Sequence, residues 1–480
     1  MRFKIKVFKM GVLLLIFLTF SSWSQTFEDL SHRVKEFVVV DDPLFALTHV
    51  RIIDGLGGPP KEDQTVIVCQ GKIQAIGERT KISIPEGARV YEKPEYTLIP
   101  GLVGMHNHIF YPAGEAHYNT LEFSAPRLYL ACGVTTIRTA GSLEPYTELN
   151  LKRAINMGKV LGPKIYVTSP YLEGPGAFTF QMNELADVEH GLRFVRYWAS
   201  EGVDDFKAYT NIKKEVLEAT LKEVHKLGMK MTAHLCSLGF REAAEIGIDN
   251  LEHGLLVDTE FFPEKKPDIC PPYREVRDSL LSLDISSPSV QETIRTLVKN
   301  NVAITSTLPV FEISVPGRPP LQQRVLDAMA VETKVTYLSQ RARLGERRDS
   351  TMEILLKKEM EFERAFVEAG GLLLTGPDPT GYGGVLPGFG DQRGIELLVE
   401  AGFSPEQAIK IATYNGALYL DQQAKIGSLT VGKQADMVLI KGNPSKNIAE
   451  IENVEIVFKD GIGYDSLRLI ESVRGCVGVR

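Results

Sequence analysis

Nine histidines occur in this 480-residue chain, all before residue 254, and four of them sit where short apolar runs end. His106 and His108 flank Asn107 after the run that ends at Met105. In an extended segment, side chains two apart point to one side, so both imidazoles can reach the same point. His234 closes Met231-Thr232-Ala233, and His253 closes Leu251-Glu252. Lys207 lies in Asp205-Phe206-Lys207-Ala208-Tyr209, and Asp378 follows Leu374-Thr375-Gly376-Pro377. Imidazole and carboxylate ligands suit zinc and related divalent ions. Singly, each residue has a plain reading as a loop or core histidine, an ion-paired lysine or a turn carboxylate. Their recurrence at the ends of separate apolar runs is what points to a metal centre.

Those runs must be brought together by a scaffold. Apolar or β-branched stretches occur at 98–105, 134–139, 164–168, 205–209, 230–233, 248–252, 303–307 and 372–376. Helical patterns fall between most of them. In 213–227, Leu217, Leu221 and Val224 share a face and Gly228 marks the stop. This alternation predicts an α/β fold, a (β/α)8 TIM barrel, which builds active sites at the C-terminal ends of its strands. A doubly wound open sheet competes, but no GxGxxG turn follows the first strand. Stretches 261–277 and 309–323 read as long loops over the active face.

The ends of the chain read differently. Short strands with turns at Asp54-Gly55 and Gln70-Gly71 recur in style at 435–440 and 454–458, before Lys459-Asp460-Gly461. A small β-sandwich domain built from both termini is expected. The predicted division is 1–24 signal peptide, 25–98 and 421–480 the two parts of the β domain, and 99–420 the metal-dependent catalytic barrel.

Residues 1–24 carry a basic head (Arg2, Lys4, Lys6, Lys9), an apolar run over 10–20, and Ser22 and Ser24 at the −3 and −1 positions of a cut. The run is short of the ~20 residues that span a bilayer, so it reads as a secretory signal peptide. An uncleaved N-terminal anchor is the alternative. The expectation is a periplasmic or secreted protein, off the membrane after cleavage.

Composition sets further bounds. Lysine plus arginine total 54 against 61 acidic residues, a net charge of −7, which disfavours a nucleic-acid partner. With 44% hydrophobic and 24% charged residues the chain is not of the disordered class. Five cysteines without CxxC spacing make neither a disulfide framework nor a cysteine zinc module legible.

Longer segments carry a resemblance. Ile99-Pro100-Gly101-Leu102-Val103-Gly104-Met105-His106-Asn107-His108, Gly133-Val134-Thr135-Thr136-Ile137-Arg138, Phe206-Lys207-Ala208-Tyr209, Thr232-Ala233-His234 and Leu251-Glu252-His253-Gly254 come first. Ala412-Thr413-Tyr414-Asn415-Gly416-Ala417 and the 427–436 stretch follow Asp378. Together they resemble the amidohydrolase superfamily, in its imidazolonepropionase-like and prolidase-like branch. The resemblance implies two divalent metals, zinc first, sharing a hydroxide. His106, His108 and Asp378 would hold one, His234 and His253 the other, with Lys207 bridging as an N-carboxylated lysine. Asp378 would be catalytic, carrying a proton from the attacking hydroxide to the leaving nitrogen of an amide-like C–N bond. The implied substrate is a small molecule, with a dipeptide or N-acyl amino acid ranked first.

Three departures stand out: Gly376-Pro377-Asp378 replaces the common Gly-Thr-Asp, Arg138-Thr139 stands where many relatives carry Asp, and 384–393 contains Phe389 and Asp391 but no histidine. A mononuclear aminohydrolase (deaminase) is an alternative. Such enzymes commonly place Glu a few residues after the His234 equivalent, whereas the first here is Glu242. An exported non-catalytic binding protein on the same fold is another. Tyr111, His117, Tyr209, Arg318 and Tyr382 are candidates for substrate contact from loops, with Arg318 a natural partner for a carboxylate. Assembly as a homo-oligomer stays open.

Overall fold

The computed structural model describes residues 25–113, 117–347 and 349–480. The expected signal segment, 1–24, lies outside them. Among the described residues no helix is long and apolar enough to cross a membrane.

The chain's two ends interleave in one nine-stranded sheet. Its order runs Val38–Val40, Ile462–Asp465, Val454–Lys459, Met437–Lys441, Tyr96–Pro100, Leu44–Ile52, Lys61–Cys69 and Lys72–Glu78, with Arg89–Glu92 paired to Leu44–Ile52. The seam is antiparallel, Met437 opposite Pro100 and Lys441 opposite Tyr96. Alternate residues of these strands bury one face, where Phe45 stacks on Phe458 at 5.4 Å between ring centres, beside Leu47, Val66 and Leu98. The β unit expected from both termini is thus a single hydrogen-bonded sheet.

Between these ends run parallel strands in two sheets. The first holds β1 (Leu102–Asn107), β2 (Val134–Thr139) and β3 (Lys164–Tyr166) in the order β3-β2-β1. The second holds β4 (Thr168–Leu172), β5 (Asp205–Ala208), β6 (Met231–Ala233), β7 (Asn250–Glu252), β8 (Ala303–Ser306) and β9 (Leu373–Thr375) in chain order. Apart from two residues at the margin of β3, Lys164 and Tyr166, every residue of β1, β2 and β3 is buried, as parallel strands covered on both faces require. The run read as one strand over 164–168 is two. At the break, Val167 exchanges hydrogen bonds with Asp204, its N–H going to the carboxylate at 2.7 Å and its carbonyl accepting from the Asp204 N–H at 2.7 Å.

Backbone contacts join the sheets on two sides. Ser142 bridges Pro170, and the Asp378 N–H donates to the His106 carbonyl at 3.1 Å. The second contact needs Gly376, because a Cβ there would stand 2.2 Å from the His106 backbone nitrogen. Helices α1 (Val188–Glu201) and α2 (Lys214–Lys226) pack side by side, α2 burying Leu217, Leu221 and Val224 as its periodicity predicts. The stretch 261–277, expected as loop, enters a helix at Tyr273, and 309–323 begins inside the short helix Leu308–Glu312.

One covalent tie was not legible in the sequence. Cys236 and Cys270 form a disulfide, with Cα atoms 4.9 Å apart, while Cys69, Cys132 and Cys476 are thiols. It links the segment after His234 to the segment that follows β7.

Candidate active site and metal centre

Strand ends gather the predicted residues. β1 delivers His106 and His108, each 2% exposed, with ring centres 5.2 Å apart. His253, just past β7, brings its ring to 4.6 Å from His106 and 4.3 Å from His234, which follows β6. Asp378, past β9, has its carboxylate 3.2 Å from His108 Nε2, 3.6 Å from His106 Nε2 and 3.9 Å from His253 Nδ1. His106, His253 and Asp378 each offer a ligand atom within 4.8 Å of the others. This trio cuts across the two ligand sets implied by resemblance, so all the imidazoles belong to one cluster.

The turn carrying His253 is held from outside. His253 and Gly254 both have positive φ, 72° and 71°. The buried Glu359, on helix α3 (Thr351–Glu368), accepts hydrogen bonds from the next two backbone N–H groups, Leu255 at 3.2 Å and Leu256 at 2.8 Å. The His253 Nδ1 meets Thr307 Oγ1 at 2.8 Å.

Lys207, on β5, is 1% exposed, and among the described residues its Nζ has no hydrogen-bond partner. Its nearest carboxylate oxygen, from Glu252, is 3.6 Å away. Burial pulls its ammonium down to about 8, partly opposed by Glu252. Burial also depresses His108 and His253, and takes His234 down to about 3 with help from Lys207. Burial alone would raise Asp378, but His106, His108 and His253 overrule it and hold the carboxylate ionised. The cluster therefore combines burial that favours the neutral imidazole at His108, His234 and His253, an ionised carboxylate and a lysine whose ammonium is disfavoured.

Glu252 is the functional residue that sequence reasoning missed. It is fully buried, accepts from Arg138 Nη2 at 2.6 Å and from Thr232 Oγ1, and meets His106 Nδ1 at 2.7 Å. An ionised carboxylate only accepts, so Nδ1 carries the proton and Nε2 is left as a ligand atom facing Asp378. Lys207 and Arg138 keep Glu252 well below the usual carboxylate range against its burial. Arg138, which departs from the family pattern, lies beneath the cluster as the carboxylate's counter-charge and also binds the Met105 carbonyl. A carboxylate adjacent to a ligand histidine was the available signal.

A cavity of about 140 Å3 opens onto this cluster. Of the five substrate candidates only Tyr209 lines it, its ring 5.0 Å from that of His234. Tyr111, His117 and Tyr382 line a neighbouring cleft of about 450 Å3, with Tyr118 bordering both spaces. Tyr111 is buried and accepts from the Gly384 N–H at 2.8 Å, while the Tyr382 hydroxyl donates to the Ile313 carbonyl. Arg318 faces neither space. It is clamped by Glu312 at 2.7 Å and bidentately by Glu400 at 2.6 Å, so the carboxylate-binding role expected for it is corrected to an internal ion pair. Asp391 likewise serves the scaffold, accepting from Asn107 Nδ2 and the Gly388 N–H.

The donor set fits divalent metal. It supplies several neutral imidazoles and an ionised carboxylate in reach of one another, with His108 Nδ1 and Lys207 Nζ buried and unpartnered. Comparison with known proteins agrees with this chemistry. The amidohydrolase family profile matches residues 97–462. An imidazolonepropionase of Herpetosiphon aurantiacus is 24% identical over 425 residues, covering 83% of this chain and 90% of that protein. An Xaa-Pro dipeptidase with methionine in its active site shares the fold at a TM-score of 0.65 and 20% identity, over 88% of this chain and 100% of that one. A bottromycin amidohydrolase does so at 0.67 and 17% identity, over 91% of each chain. The chain belongs to the amidohydrolase family and is a hydrolase acting on amide-type carbon–nitrogen bonds.

Proposed function

We propose that the protein is an exported, binuclear metal-dependent amidohydrolase. The observation that carries this reading is the buried, unpartnered Lys207 amine among four histidines and Asp378. His106, His108 and Asp378 would hold one metal, His234 and His253 the second, with N-carboxylated Lys207 between them. Carboxylation turns an amine that repels cations into an anionic two-oxygen ligand. Bound metal supplies the Lewis acidity that lowers the pKa of water and polarises a carbonyl.

The chain's own groups do the rest. Glu252 fixes the tautomer of His106. Asp378, held ionised, accepts the proton of the attacking water and returns it to the leaving nitrogen. The enclosing rings keep bulk water from the cluster. A two-metal reading is favoured over the mononuclear deaminase by Lys207, which one metal held by histidines and Asp378 would leave unused.

The contacts Ser142–Pro170 and Asp378–His106 support closure of both parallel sheets into one (β/α)8 barrel over 99–420. The Cys236–Cys270 disulfide supports export, since such bonds persist in oxidising compartments. For the substrate, a dipeptide or N-acyl amino acid is the first class to screen.

Elemental analysis of the full chain loaded with zinc is expected to give about two metals per chain, with hydrolysis of a simple amide. Asp378→Asn is expected to abolish turnover while retaining most of the metal. About one metal per chain with ammonia as product would instead establish the aminohydrolase.

A further inference from the structure

We propose that the reaction chamber selects amides bearing one flat, uncharged aromatic ring beside the scissile bond. This rests on the reading of the His106–His253–Asp378 cluster as the reaction centre. Around that cluster the chamber is lined by Phe110, stacked on His108 at 4.2 Å, and by Tyr118, Tyr171, Phe178 and Tyr209, with Met182 beside them. These rings form two edge-to-face groups, joined by a tilted contact between Phe178 and Tyr209 at 5.9 Å and 42°. Phe110 meets Tyr118 at 5.3 Å and 76°, Tyr118 meets Phe178 at 6.0 Å and 82°, and Tyr171 meets Tyr209 at 4.7 Å and 66°. A further aromatic ring entering such a set finds both edges and faces to pack on.

Size and charge agree. The chamber's volume of about 140 Å3, which the reacting group shares, does not exceed that of an apolar protein cavity, about 150 Å3, that takes up benzene, so it limits the substrate to one ring. Among the described residues, every Lys, His and Asp lining it belongs to the ligand cluster, and no other charged side chain lines its walls. A charged group on the far side of the ring would be desolvated without a partner.

The wall is also held in place. The loop that carries Phe178 and Met182 is tied to Tyr118 by Gln181, whose amide accepts from the Tyr118 N–H at 2.9 Å and donates to its carbonyl at 3.1 Å. Glu184 closes the loop's other side on the Gly176 and Ala177 N–H groups at 2.8 Å each. Rings fixed in this way discriminate shape because little ordering is left to do on binding.

Three acids test the wall by calorimetry on the full chain, with and without zinc: benzoate, cyclohexanecarboxylate and terephthalate. All present one carboxylate to the cluster and differ only in the body that faces the wall. Benzoate is expected to bind about tenfold tighter than cyclohexanecarboxylate, and terephthalate at least about tenfold weaker than benzoate. Phe178→Ala, in a half-exposed loop position, is expected to cut the benzoate preference to about threefold or less while cyclohexanecarboxylate affinity and metal content stay unchanged. Equal affinities, tightest binding by terephthalate, or no binding by any of the three would overturn the proposal. Selective benzoate binding by a chain that takes up no metal and cleaves no amide would instead sink the hydrolytic mechanism and leave the ring preference standing.

Discussion

Glu252 receives a hydrogen bond from His106 Nδ1 at 2.7 Å, and the same carboxylate is pinned by Arg138 from below. The ligand geometry of β1 is therefore set by a residue of β7, in the other sheet. His106 is thereby aimed with its Nε2 at the cluster before any ligand arrives.

Replacing Glu252 by Gln removes the charge that fixes this tautomer. Metal affinity is expected to fall about 10–100-fold in competition with a chelator. The variant should also lose about 3–5 kcal/mol of stability, because the buried Arg138 loses its closest counter-charge and keeps only Asp205 at 3.4 Å. Adding Arg138→Met should recover much of the stability and none of the metal affinity. Recovery of both would show that Glu252 acts only on the fold.

The behaviour of Lys207 sets a pH dependence. Its ammonium is depressed to about 8, against about 10.4 for an unfolded lysine. Between those values the unfolded chain binds more protons at this site, so stability of the metal-free protein should rise as pH climbs through that window. Carboxylation needs the neutral amine. Zinc content in bicarbonate should thus rise from about one to about two per chain between about pH 6.5 and about pH 8.5. Lys207→Met should remain near one at both.

Gly254→Ala probes the support behind His253. A Cβ there would lie 1.9 Å from Glu359 Oε1, and the backbone is at φ +71°. Displacing Glu359 frees the Leu255 and Leu256 N–H groups. The strain and the lost hydrogen bonds should together cost about 2–4 kcal/mol in urea unfolding. Metal affinity should fall with it as His253 moves. An alanine variant with unchanged metal affinity would separate this turn from the site.

What could be read in the chain depended on how local its cause was. His106, His108, Lys207, His234, His253 and Asp378 each end or interrupt an apolar run, and strand periodicity alone brings them to strand ends. Glu252 sits between Leu251 and His253, and nothing nearby tells a structural carboxylate from a reacting one. Its partners lie 114 and 146 residues upstream. Arg318 misled in part for the same reason, since it is held both by Glu312, six residues away, and by Glu400, 82 residues away. The split near Val167 was hidden because Asp204, on another segment, takes over its backbone hydrogen bonds. The β unit was visible in its hairpins, yet the pairing of Met437–Lys441 with Tyr96–Pro100 spans most of the chain.

The disulfide offers the last test, because it ties two site-bearing segments together. Cys236 stands two residues after His234, and Cys270 ends a loop whose Lys265 donates to the Ser237 carbonyl and whose Thr259 donates to the Cys236 carbonyl. Closing a span of 34 residues removes loop entropy from the unfolded chain, for a stabilisation of about 3–4 kcal/mol. Both cysteines are half-buried, so a dithiol reductant can reach them. Treatment with dithiothreitol should therefore lower the unfolding temperature and speed zinc loss to a chelator. The Cys236→Ser, Cys270→Ser double variant should show both effects from the start and no longer respond to reductant. Because His234 rides on the tied segment, zinc loss should change more than the kinetics of global unfolding predict. If zinc leaves the reduced and oxidised proteins at the same rate, the bond stabilises the fold without positioning the site.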